Sequence, residues 1–163
     1  MSQKFTLNYF GSMITAESLG LEFIPTLNET LSAHCVPITA DGKIVAVDIV
    51  GRGVDFPGGH IEDGETAVEA MHRETHEEAY ISVKEPVLID VWKLSSDDKQ
   101  LGLDIKPYVL SYVAQVEQID DFIANDEVSS RFILEPQEFI SLYFGDKEQA
   151  EKIISLAFAF LDQ

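Results

Sequence analysis

Cysteine is almost absent from this chain: Cys35 stands alone among 163 residues, so no disulfide can form within it. The first twenty residues, MSQKFTLNYFGSMITAESLG, lack the apolar run and cleavage pattern of a signal peptide. Both features favour the cytosol. Cys35 lies in an apolar, strand-like stretch and reads as a buried, inert thiol rather than a nucleophile. Basic residues are scarce as well, 11 Lys and Arg against 29 Asp and Glu, which leaves a formal net charge of −18. Nucleic acid polymers are poor partners for such a surface, because binding their backbone needs clustered cations. No apolar run approaches the roughly 18 residues of a membrane span. No repeat, low-complexity tract or linker divides the sequence. The expectation is one soluble domain over residues 1–163, with 45% hydrophobic residues to supply its core.

What is present concentrates between Phe56 and Ile81, FPGGHIEDGETAVEAMHRETHEEAYI. A turn containing Pro57, Gly58, Gly59 and Gly64 precedes a segment with helical spacing. Thr66 followed by Glu69 is a capping box, so the helix should run from Thr66 to about Glu78, with Ala67, Ala70 and Met71 against a sheet. At 100° per residue, Glu77, Glu74 and Glu78 fall at roughly 280°, 340° and 20° relative to Ala67, on one flank. Like charges at that spacing repel, so a cation is expected beside them. Oxygen-only ligands select a hard ion such as Mg²⁺, Mn²⁺ or Ca²⁺ over zinc, and magnesium completes its shell with water and substrate phosphate. The acidic chain and polyphosphate chemistry are therefore compatible, because divalent ions supply the missing positive charge locally. For most of the acidic residues, plain solubility is explanation enough.

Gly59, Glu65, Arg73, Glu74, Glu77 and Glu78, with the intervening spacing, resemble the Nudix box of the MutT-like hydrolases, G-x5-E-x7-R-E-U-x-E-E-x-G-U, over residues 59–81. Two positions depart from it. Thr75 replaces a bulky apolar residue, and Tyr80 replaces the glycine that would suit a left-handed helix end; the expectation is a different or a strained helix exit. The resemblance implies an α/β fold, an α/β/α sandwich with a mixed sheet, and hydrolysis of the pyrophosphate bond of a nucleoside diphosphate linked to another moiety. It implies Mg²⁺ or Mn²⁺ held by Glu74, Glu77 and Glu78, with the Gly59 carbonyl, and a loop braced by Arg73 and Glu65. Arg73 also has the bland alternative of pairing with Glu69 and Glu77 along the helix. A general base would come from the helix or a downstream loop, with Glu77 and Glu127 the respective candidates.

Outside the box, Arg52 is a candidate phosphate contact, and Phe56, Trp92 and Tyr108 are candidates for stacking on a base, although each also suits a core. His34, His60, His72 and His76 read as structural or exposed. No subfamily marker separates one nucleoside diphosphate derivative from another. A second reading stays open: a catalytically silent Nudix-fold module that binds or senses a nucleotide.

The remaining elements are simpler. Phe5, Leu7, Tyr9 and Phe10 suit an edge strand or an arm. Leu31–Ala40 and Lys43–Val50, joined by Asp41-Gly42, read as a hairpin. Ile81–Ser95 reads as one strand with a bulge or edge at Pro86. Ile105–Ile119 reads as another, Ser95–Asp104 as a loop, and Arg131–Leu134 as a short strand. Glu135–Phe144 should form a helix closed by Gly145. The final segment, from Asp146 to Phe160, is apolar enough for burial or, as a second possibility, for a homodimer contact.

Overall fold

The computed structural model describes residues 2–162. The edge strand is present as β1 (Lys4–Tyr9), paired antiparallel with β2 (Ser12–Gly20). The two turn residues between them, Phe10 and Gly11, have φ of 51° and 90°. That double left-handed turn is the one Asn-Gly usually makes. Phe10 in its first position conceals the hairpin, and β2 has no counterpart in the sequence expectations.

β3 (Thr30–Ile38) and β4 (Ile44–Ile49) meet through Asp41-Gly42, but they pair only at Ile38↔Ile44. Beyond that point they separate. β5 (Gly53–Asp55) then pairs with β4, and β6 (Gly58–His60) pairs with β3 at Ser32, Ala33 and His34. The expected hairpin is thus a turn with diverging arms, and the glycine-rich strand fills the gap. Continuous apolar runs such as IVAVDI belong to strands buried on both faces, and here alternate side chains go to opposite layers. Val45, Val47 and Ile49 join one core with Cys35 and Met71; Ile44 and Ala46 join another with Phe139 and Ile153.

The Ile81–Ser95 stretch is two strands, β7 (Ile81–Val83) and β8 (Val87–Ser95), because the chain breaks at Pro86, which has no N–H to give a ladder. Both pair antiparallel with β9 (Tyr108–Ile119), β7 with its end and β8 with its start. A one-turn 3₁₀ helix, Lys99–Leu101, lies in the loop before β9. β10 (Val128–Leu134) starts three residues earlier than expected and covers the outer edge of β4.

The strand order is β1-β2-β8-β9-β3-β4-β10, antiparallel throughout except for the parallel pair β3–β9. The sheet is therefore mixed. α1 (Ala67–Ala79) covers one face, and α2 (Pro136–Leu142) with α3 (Lys147–Leu161) covers the other, the sandwich expected from the sequence. Asp146 caps α3 by accepting from the Glu148 and Gln149 amides, and Ile153, Ile154 and Ala157 are buried in the core. Gly145 does not end α2 in a left-handed turn; the cap is Tyr143 in an extended geometry. A Cβ at Gly145 would lie 2.6 Å from Leu7 Cδ2 and 2.9 Å from Tyr143 Cε2, so those side chains would have to shift to admit one. Among the described residues, no helix is long and apolar enough to cross a membrane.

Candidate active site

α1 begins as its capping box dictates. Thr66 Oγ1 accepts the Glu69 amide at 3.1 Å, and Glu69 Oε1 accepts the Thr66 amide at 2.9 Å. Ala70, Met71, Thr75 and Ala79 turn inward and are buried. Thr75 fits the apolar position because its hydroxyl turns back toward Met71 Sδ, 3.7 Å away. Glu74 and Glu78, half-buried, lie along the margin of this inward face, with the exposed Glu77 beside them.

At the helix exit Tyr80 is left-handed, with φ 55° and ψ 43°, and its amide donates to His76 O. The glycine geometry is kept without the glycine. For a residue with a Cβ this conformation costs roughly 1–2 kcal/mol, so of the two exits expected from the sequence the strained one is found.

Arg73 is the local counter-charge. Nε and Nη2 donate to the two oxygens of Glu65 at 2.7 and 3.0 Å, and Nη2 also reaches His60 O at 3.0 Å. Nη1 donates to Glu74 Oε1 at 2.9 Å and Glu77 Oε2 at 3.2 Å. The bidentate bond to Glu65 holds the guanidinium charged more firmly than usual. The helix-only alternative for Arg73 is half right: Glu77 is a partner, but Glu69 is engaged at the cap.

One arginine does not balance this flank. Burial pushes Glu78 up to about 8, reinforced by Glu74 and Asp55, against the Gly58 amide that donates to its Oε1 at 2.8 Å. Glu74 is also raised by burial, with Glu77 and Glu127 adding to the rise and Arg73 opposing it. Gly59 packs directly against this group: a Cβ there would sit 2.5 Å from Glu74 Cδ. Gly58 is equally confined, its Cβ position 2.4 Å from His34 Cβ.

A cavity of about 420 Å³ opens over this flank, lined by Glu74, Glu77, Glu78, Tyr80, Asn125 and Glu127 among others. Glu127, far away in sequence, is thus brought to the helical carboxylates. Its carbonyl accepts the Val50 amide at 2.9 Å and its amide donates to Asn125 Oδ1 at 2.8 Å. Asn125 and Tyr80 escape a reading of the sequence. Their only signals are the Asn-Asp turn at 125–126 and the departure from glycine at 80.

Arg52, Phe56 and Trp92 line a different cavity, of about 330 Å³, beneath the β1–β2 hairpin. Tyr108 lines neither and packs on Phe23, ring centroids 5.0 Å apart. Phe56 and Trp92 are each 2% exposed, and Phe56 stacks on Phe139 at 4.3 Å. Arg52 pairs with Asp55 at 3.0 Å among the rings of Tyr9, Phe10 and Phe144, 5.0 to 5.6 Å away. His34 Nε2 meets Ser111 Oγ at 2.7 Å, and burial, aided by Arg52, lowers its pKa to about 4, so the ring is neutral. Burial holds the Cys35 thiol well above its usual range, as expected of an inert core cysteine.

The four carboxylates of this cavity fit a hard cation, two of them raised by burial and like charge, and His76 and Asn125 line it beside them. As the side chains lie, no three acidic, histidine or cysteine groups among the described residues converge as a finished cage. Arg73 holds Glu74 and Glu77 instead.

No curated relative matches the chain in sequence. Solved structures do match it in shape. A pyrophosphohydrolase of Bacillus subtilis, BsRppH, is 17% identical with a TM-score of 0.70, covering 98% of this chain and 96% of that one. A NUDIX hydrolase from Nitrosomonas europaea is 20% identical with a TM-score of 0.64, covering 80% and 88%. The NUDIX domain of Shewanella oneidensis NrtR, solved with ADP ribose, is 16% identical with a TM-score of 0.64, covering 86% and 94%. The family described as NUDIX domain matches residues 29–156. With the box helix, the mixed sandwich and the family match in agreement, the chain belongs to the Nudix family.

Proposed function

We propose that the protein is a metal-dependent pyrophosphohydrolase that cleaves the pyrophosphate bond of a nucleoside diphosphate linked to another moiety, by attack of water at phosphorus. One observation carries the reading: Glu74, Glu77, Glu78 and Glu127 line a single cavity with one arginine against them. Glu74, Glu77 and Glu78, with the Gly59 carbonyl, are the residues that would hold Mg²⁺ or Mn²⁺. A bound divalent ion neutralises phosphate charge and lowers the pKa of a coordinated water.

The side chains divide the remaining work. Arg73 and Glu65 fix the loop so that Gly59 stays against Glu74. Glu127 or Glu77 takes the proton of the attacking water, and both are exposed enough to exchange it with solvent. Arg52, Phe56 and Trp92 wall the second cavity, where an uncharged part of the substrate fits better than another phosphate, because Arg52 is already paired with Asp55. Tyr108, which lines neither cavity and packs on Phe23, has no part in this reading.

The partner in this reading is a small-molecule nucleoside diphosphate derivative, with no nucleic acid polymer and no membrane, in one cytoplasmic domain over residues 1–163. Light scattering after size exclusion tests the homodimer contact that the apolar last helix offers as a second possibility to burial.

A panel of nucleoside diphosphate derivatives incubated with Mg²⁺ or Mn²⁺, with products identified by mass, tests the activity. Release of a nucleoside monophosphate or a phosphorylated partner supports it. Tight nucleotide binding with no product over the whole panel would instead establish the silent binding or sensing module.

A further inference from the structure

Tyr80 keeps a glycine-like backbone at the exit of α1, and strain of that kind persists only where the surroundings over-determine it. The surroundings here are specific. The Tyr80 ring meets Phe122 edge-on, centroids 5.7 Å apart and planes at 89°. Its carbonyl accepts the Asp120 amide at 2.9 Å. Arg131, on β10, donates from Nη1 to Ala79 O at 3.0 Å and to Asp120 O at 2.7 Å, and its guanidinium lies 5.8 Å from the Phe122 ring centre. One cation therefore joins the last carbonyl of the box helix to the head of the segment 120–127.

That segment has no ladder of its own. Its far end is fixed by Asn125 Oδ1, which accepts the amides of Glu127 and Val128, each at 2.8 Å. With both ends tied, Glu127 has little choice but to line the carboxylate cavity. A glycine at position 80 would leave Phe122 without its edge-on partner, and a neutral side chain at 131 would leave two carbonyls without their shared donor.

We infer that Tyr80 and Arg131 are positioning residues for Glu127, forming a clasp that holds segment 120–127 against the helix exit and so sets this carboxylate over the cavity. The inference rests on the catalytic role proposed for Glu127.

Two readouts test it, one of them independent of turnover. Hydrogen exchange followed by mass spectrometry on Arg131→Met should show faster exchange across residues 120–127, with the start of α1 unchanged. Kinetics with a substrate from the panel, in Mg²⁺, should show kcat lowered about tenfold or more with KM within about threefold, and partial recovery in Arg131→Lys. Combined with Glu127→Gln, Arg131→Met should add nothing further, because residues acting as one unit are not additive. Should Arg131→Met fail to fold, Tyr80→Gly carries the same test: it relieves the strain and removes the ring, and Tyr80→Phe should rescue it. Unchanged exchange over 120–127, or rate losses that multiply with Glu127→Gln, would overturn the clasp while leaving the hydrolase reading intact. Full turnover in Glu127→Gln alone would remove the role of Glu127 and the clasp with it.

Discussion

The two cavities of this molecule treat buried charge in opposite ways. Beneath the N-terminal hairpin, Arg52 and Asp55 pair one to one at 3.0 Å, enclosed by aromatic rings. Over α1, four glutamates line the cavity, and the one arginine bound to them is shared with Glu65. A paired charge is structure. An unpaired excess is held at a cost in repulsion, and under the proposed function it is where a cation and an anionic substrate would be received. Burial first, then Glu74 and Asp55, raises Glu78 against the Gly58 amide and Arg52, while Arg52 itself, beside Asp55, stays firmly charged.

The contrast breaks first, if it is wrong, at Glu77 and Glu78. Changing both to Gln should lower turnover by roughly 10²–10³-fold, the range for losing a charge-stabilising group, while thermal unfolding without metal stays the same or rises, since repulsion is relieved. Unimpaired hydrolysis would mean that the excess charge has no catalytic use.

In the other cavity the order of effects reverses. Arg52→Met leaves Asp55 buried without its partner and should destabilise the fold by about 3–5 kcal/mol, read by urea denaturation. Adding Asp55→Asn should recover much of that. No loss in the single variant would show that the pair is not structural.

Acidity separates the two regions further. Glu78 has a folded pKa of about 8, above its ordinary value of 4.5, so the folded state binds the extra proton and stability falls as pH rises between those values. His34 has a folded pKa of about 4, below its ordinary 6.5, so stability falls as pH drops through that window. Denaturation at several pH values without metal, compared with Glu78→Gln, should isolate the first slope, and Mg²⁺ should flatten it. An identical pH profile in the variant would contradict the burial argument.

The smallest effect belongs to neither cavity. Lys99 and Asp104 form an ion pair at 3.3 Å with both side chains 74% exposed. Lys99→Ala should leave the denaturation midpoint within error, because exposed pairs contribute little. A clear loss there would show that exposure alone does not rank the charges of this protein.

Much of the frame was legible in the residues. The capping box Thr66–Glu69, the Asp146 cap and the inward face of α1 follow from local rules that act over one or two turns. The failures share a cause. The β1–β2 turn was hidden because Phe10 adopts a geometry usually reserved for Asn, and the break at Pro86 becomes necessary only once β9 is there to take two partners. Tyr108 was legible as an aromatic in a strand, but which neighbour it would meet was not.

Helical periodicity alone determined that Glu74, Glu77 and Glu78 would share a flank, since a spacing of 100° per residue needs no partner to enforce it. Whether that flank would be neutralised or left in excess depended on what else the chain delivered to it. The sheet brings Glu127 to it from the segment before β10, leaves Arg52 near Glu78 but paired with Asp55 in the wall of another cavity, and makes Tyr80 hold a glycine's backbone at the helix end. Those outcomes arise from contacts between residues tens of positions apart, and no local preference encodes them.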